Sequence, residues 1–145
     1  MADNTTLVRE LFEAWNNRDY EAVAQRVAPD CTMMDMGNGR TLQGPDGFLE
    51  FSKTLFAALP DVQFSLDHLM TQGDTVVVEY TGRGTHTGDL VLPAGTIPAT
   101  GRSLTVHTCE VDEVEDGKIK QARVYLDSGA IMAQLGLTER LGVKQ

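Results

Sequence analysis

The order in which the residue periodicities change constrains this chain most. Apolar residues recur at helical spacing up to Leu59, and from Val62 onward they alternate at strand spacing. Helices first and strands later predict an α+β domain instead of a regularly alternating α/β one. Leu7, Val8, Leu11, Phe12 and Trp15 share one face of a helix over residues 4–17, with Asp3 or Asn4 as its cap. Asp19 can cap a second, shorter helix with Tyr20, Val23, Ala24 and Val27 on its apolar side, and Pro29 is expected to end it. A short strand, Thr32–Met36, then meets the turn signal Gly37-Asn38-Gly39. Gly44-Pro45 opens a third helix that points Phe48, Phe51, Leu55, Phe56 and Leu59 inward, and Pro60 stops it.

The second half reads as strands. Val62, Phe64 and Leu66 alternate with polar residues, and Gly73-Asp74 turns the chain into Thr75–Thr85. Residues 88–101, rich in glycine and holding Pro93 and Pro98, read as a loop. A long strand, Ser103–Glu115, reaches the hairpin signal Asp116-Gly117, and Lys118–Leu126 returns. Asp127 caps a last helix through Ile131 and Leu135, closed by Gly136. No repeat or linker divides the chain, so residues 1–145 are read as one domain. A chain of this length buries roughly two-thirds of its unfolded surface. Three helices and a strongly curved antiparallel sheet can close into a cone-shaped barrel, leaving an apolar pocket between them.

Charge excludes several partners. Twelve basic residues against 21 acidic ones give a net charge of −9, which leaves no basic face for nucleic acid or an anionic membrane. The two cysteines, Cys31 and Cys109, are too few for a disulfide scaffold and lie in no zinc-ligand spacing, so no metal is expected. The N-terminus lacks the features of a signal peptide, and no apolar run approaches the roughly 20 residues needed to span a bilayer. A cytoplasmic protein with reduced thiols is the expectation.

Three polar residues are candidates for chemistry. Asp35 lies among Met33, Met34 and Met36, where a desolvated carboxylate would suit general acid–base work; equally, it can cap the following turn. Glu110 shares strand parity with Leu104, Val106, Thr108 and Asp112, opposite Thr105, His107, Cys109, Val111 and Glu113. Periodicity alone leaves open which face is inside. Ala122, Val124 and Leu126 form the apolar face of the returning strand, and if Glu110 shares it, Glu110 is a buried acid. Asp112, Glu113, Glu115 and Asp116 read as a solvated charge run. His86, in Gly84-Thr85-His86-Thr87-Gly88, stands at a strand end beside a loop, either as a functional group or bonded to loop backbone. His107 is expected to point outward with Arg123 and Tyr125, and Asp127 is most simply a helix cap.

Ala14-Trp15-Asn16-Asn17-Arg18-Asp19 between two helices, followed by Gly44-Pro45-Asp46-Gly47-Phe48, resembles the nuclear transport factor 2-like superfamily. Six further motifs are similar to the SnoaL-like polyketide cyclases, or ester cyclases, over nearly the whole chain. They are Phe56-x-x-Leu59-Pro60-Asp61, Gly73-Asp74, Gly84-Thr85-His86-Thr87-Gly88, Pro98-Ala99-Thr100-Gly101, Glu115-Asp116-Gly117-Lys118-Ile119 and Gln134-Leu135-Gly136. The resemblance implies a cone-shaped barrel, a homodimer, and ring closure by pocket acid–base residues without cofactor or metal. In that pattern the catalytic Asp position is Val124, a partner His position is Glu110, and the usual Trp is Arg123. Ketosteroid isomerases of the same superfamily place their base at Asp35 and their oxyanion-hole acid at Glu110, while their Tyr donor aligns near Leu11.

These readings converge on a cofactor-independent isomerase or cyclase for a hydrophobic carbonyl compound, polyketide- or steroid-like, acting by enolisation. Asp35 is the expected base, Glu110 the oxyanion donor and His86 an auxiliary group or loop gate. Phe12, Trp15, Tyr80, Val124 and Asp127 are the expected pocket residues. The alternatives are a non-catalytic module binding a small hydrophobic molecule, or a dimerisation domain.

Overall fold

The computed structural model describes residues 3–137. Among these residues four helices, α1 (Asn4–Asn16), α2 (Tyr20–Gln25), α3 (Gly44–Ala58) and α4 (Ser128–Gln134), accompany eight strands. These are β1 (Val27–Asp35), β2 (Arg40–Gln43), β3 (Gln63–Gln72), β4 (Thr75–Thr85), β5 (Leu90–Leu92), β6 (Gly95–Ile97), β7 (Ser103–Glu115) and β8 (Lys118–Leu126). Six strands form one curved sheet in the order β2-β1-β8-β7-β4-β3, and β5 and β6 form a separate small hairpin.

Local chemistry accounts for most of these boundaries. Asp3, Asp19 and Asp127 cap α1, α2 and α4, each accepting a hydrogen bond from a first-turn N–H. Pro45 sits in the first turn of α3, where its missing N–H leaves no bond unmade. At the β7–β8 turn, Asp116 and Gly117 have φ of 52° and 75°, the left-handed pair that a two-residue hairpin requires.

The structure differs from the sequence expectations at four places. The sheet is mixed, because β1 runs parallel to β8, and it stays open between β2 and β3 instead of closing into a barrel. Second, α2 ends at Gln25, and Pro29 lies inside β1. There the β1–β8 register jumps from Val27 to Thr32, so the missing Pro N–H interrupts no ladder bond. Third, β3 continues past a bulge between Leu66 and His68 to Gln72. Fourth, the glycine-rich segment after His86 contains the β5–β6 hairpin.

The core lies between the helices and the concave sheet face. Trp15 stacks on Phe48 at 5.9 Å, and Phe12 meets Tyr80 at 4.6 Å and Phe64 at 6.0 Å. Arg18 fastens the α1–α2 corner to the start of β3: its guanidinium donates to the carbonyls of Trp15, Pro60 and Val62 and lies 4.0 Å over the Phe56 ring. Among the described residues no helix is long and apolar enough to cross a membrane.

Candidate functional site

Strand register brings the two candidate acids together. Val124 of β8 is opposite Asp35 on β1 and also opposite Glu110 on β7. All three therefore share the concave face, with the two carboxyl-bearing strands separated by two inter-strand spacings, about 10 Å. Asp35 and Glu110 are each only 4% exposed. Both line one elongated cavity of about 170 Å³ between α1, α3, α4 and the sheet. Phe12, Trp15, Met33, Leu55, Phe64, Tyr80 and Val106 supply apolar wall, while Leu90, Leu92, Ile131 and Met132 close in from β5 and α4. For scale, an apolar cavity of about 150 Å³ accepts benzene.

Asp35 caps the turn that follows it. Its Oδ1 accepts from the Gly37 and Asn38 backbone N–H groups, and its Oδ2 accepts from Asn38 Nδ2 at 2.8 Å. It thus holds the Gly37-Asn38-Gly39 turn while facing the cavity. All three of its hydrogen bonds are accepted ones.

Glu110 has a different environment. The Tyr80 hydroxyl donates to Oε1 at 3.4 Å, and no donor among the described residues meets Oε2. Burial pushes the Glu110 carboxyl above the usual carboxylate range, and the neighbouring Asp112 and Tyr80 pull it part of the way back. Burial, with the potential of Glu110 added, holds the Tyr80 phenol well above its usual value, so Tyr80 remains a donor.

Asp112 corrects the expectation of a solvated charge run. It is fully buried, two residues from Glu110 on the same face and opposite Val76 and Ala122. Among the described residues neither of its oxygens meets a donor. Burial first, and then the neighbouring Glu110, push its carboxyl well above the usual range. The signal for this was parity: on a regular strand Glu110 and Asp112 are inside together or outside together.

The other candidates lie elsewhere. His86 is buried but is not among the cavity-lining residues; its Nδ1 accepts from Thr100 N at 3.2 Å and sits 2.9 Å from Thr100 Oγ1. Val124 is fully buried in the sheet between the two acids. Asp127 caps α4 and lines an open groove on the outer sheet face with His107, Cys109 and Tyr125. Arg40, Asn38, Ser52, Thr54, Thr108 and Ser128 also line the inner cavity, though nothing in their sequence pattern singles them out. Among the described residues, no group of three or more His, Cys, Asp and Glu side chains is placed to hold a metal ion.

The buried pair has a consequence for stability. A carboxyl whose folded pKa is raised stabilises the fold fully below its unfolded pKa, near 4, and loses that contribution as pH rises through the folded pKa. Urea unfolding between pH 4 and 9 is therefore expected to show stability falling with a slope of up to about 1.4 kcal/mol per pH unit for each carboxyl. In the Glu110→Gln/Asp112→Asn double variant that part of the slope disappears. An unchanged slope would mean the pair ionises freely in the folded protein.

Comparison with known proteins places this architecture. The family model of the SnoaL-like polyketide cyclases matches residues 5–135, and the chain belongs to that family. Family membership supports a cyclase-type function. Among solved structures, IdmH from Streptomyces antibioticus, described as a proposed polyketide cyclase, superposes with a TM-score of 0.79 at 25% identity, covering 93% of this chain and 99% of its own. AclR, a proposed hydroxylase from Streptomyces galilaeus, has a TM-score of 0.79 at 22% identity, with 94% and 97% covered. A Catenulispora acidiphila protein with a ketosteroid isomerase-like fold, in complex with trimethylamine, has a TM-score of 0.74 at 21% identity, with 90% and 92% covered. The last two establish the shared fold alone. No curated protein matches the chain.

Proposed function

We propose that this chain is an acid–base isomerase or cyclase that enolises a hydrophobic carbonyl compound without a cofactor. One observation carries the reading: a hydrogen-bonded carboxylate, Asp35, and a buried carboxyl, Glu110, line one apolar cavity from either side of Val124. In the proposed step Asp35 takes the proton α to the carbonyl. Negative charge then develops on the carbonyl oxygen, and the Glu110 O–H, with the Tyr80 hydroxyl beside it, stabilises the enolate. Return of a proton to carbon gives an isomer; attack of the enolate carbon on a second carbonyl of the same molecule, whose oxygen takes the proton back from Asp35, gives a ring. The low dielectric strengthens donation in the second half of the site, while the turn amides hold Asp35 in place in the first.

A cavity of about 170 Å³ suits a one- or two-ring ketone as first probe. Hydrogen–deuterium exchange at the α carbon, followed by NMR, is expected to be faster with the wild-type protein than in buffer. Glu110→Gln should lower the enzymatic rate by about 10²–10³, the size of losing one oxyanion donor. The second reading, a non-catalytic ligand module, is favoured by Val124, an inert side chain where the family resemblance implies a catalytic Asp. Saturable ketone binding with no accelerated exchange would establish it.

A further inference from the structure

We propose that Asp112 is a positioning residue that forms a proton-sharing carboxyl dyad with Glu110, the member of the pair that faces the cavity. The inference rests on the acid–base reading of Glu110. Its geometry does not depend on that reading: both side chains are buried on the same strand face, with Cα atoms about 6.7 Å apart by strand rise. Glu110 Oε2 and both Asp112 oxygens lack any donor among the described residues. Two neighbouring carboxylates in such a place cannot both be charged without a bonded cation, so the pair holds at least one proton. Asp112 is not among the cavity-lining residues, whereas Glu110 is. A proton exchanged between them therefore meets substrate only through Glu110.

The charges around the pair support this assignment. Among the described residues the elements packed most closely against β7 are β4, β8 and α4. From β4, Tyr80 is the ionisable side chain on the inner face, and it donates to Glu110. β8 brings Arg123 on the outer face, where it bridges to Glu113 at 3.5 Å instead of reaching Asp112. α4 carries no ionisable side chain. Asp35, on β1, lies across Val124 and is occupied by its turn. Arg123 lowers and Glu113 raises the Asp112 carboxyl from a distance, but both act less than burial and Glu110 do.

The test is carbon NMR of the side-chain carboxyls across pH, which needs no substrate. In the wild-type protein the Glu110 and Asp112 resonances should each move at both midpoints of a two-step titration, the signature of coupled sites. Asp112→Asn should reduce Glu110 to a single step. Glu110→Gln should reduce Asp112 to a single step at lower pH than its upper wild-type midpoint, because the neighbouring charge is gone. Independent one-step curves in the wild type, or a Glu110 curve unchanged by Asp112→Asn, would overturn the dyad. If one variant fails to fold, the wild-type curves and the other variant still decide. A protein with coupled carboxyls but no ketone exchange would retain the dyad and lose the proposed reaction.

Discussion

Asp35→Asn is expected to lower α-proton exchange by about 10²–10⁴ while ketone binding stays within a few-fold of wild type. That is the usual range for removing a positioned general base. The substitution also touches the turn. The amide oxygen of the substituted side chain can still accept from the Gly37 and Asn38 backbone amides, but the Asn38 Nδ2 bond is lost where two NH₂ groups would face each other. A stability loss of about 1 kcal/mol accompanies the catalytic one, the usual size of one hydrogen bond. Asn38→Ala separates the two effects, since it removes the same bond and leaves the carboxylate. Stability should fall similarly, with exchange within about tenfold of wild type. Equal losses of exchange in both variants would make Asp35 a turn residue and nothing more, as would an Asp35→Asn protein that exchanges at the wild-type rate.

What could be read from the sequence follows from which interactions are local. Helix caps at Asp3, Asp19 and Asp127, Pro45 at the start of α3, and the Asp116-Gly117 turn depend on neighbours within a few residues, and all of them stand in the structure. The β1–β8 parallel pairing joins residues some 90 positions apart, and no periodicity encodes it. Asp35 and Glu110 could be picked out individually, yet their relation through Val124 is a property of register, visible only once three strands are placed. Asp112 is the instructive failure. A run of acids suggested solvent, but alternation places Asp112 with Leu104, Val106 and Val114, and the strand geometry outweighs the composition. The cavity's polar lining of Asn38, Arg40, Ser52 and Thr54 comes from the β1–β2 turn, β2 and α3, whose approach is again a tertiary matter.

The Gly84-Thr85-His86-Thr87-Gly88 segment is closely packed against α3 and the chain at Thr100–Arg102. His86 N donates to Arg102 O and its carbonyl accepts from Gly101 N, both at 2.8 Å, while the ring holds Thr100. Gly88 N donates to Ala58 O at the end of α3. A Cβ on Gly88 would lie 1.9 Å from Ala57 O and 3.1 Å from Ala57 C, and backbone atoms cannot rotate away as a side-chain end can. Gly88→Ala must therefore displace the last turn of α3 or the loop itself, losing the bond to Ala58. Overpacking usually costs about 1–3 kcal/mol, and a backbone collision belongs at or beyond the top of that range. For a chain of this size, about 3 kcal/mol corresponds to a fall in Tm of roughly 6–12 °C. Gly73→Ala is the comparison: its φ of 60° is unfavourable for Ala but nothing lies within 4 Å, so about 1–2 kcal/mol is expected. If Gly88→Ala melts no lower than Gly73→Ala, close approach is not what that glycine serves. If it melts lower, the same displacement should loosen the cavity, because Phe51, Ser52, Thr54 and Leu55 line it from α3. Ketone affinity should then fall in Gly88→Ala and hold in Gly73→Ala, at a temperature where both are folded.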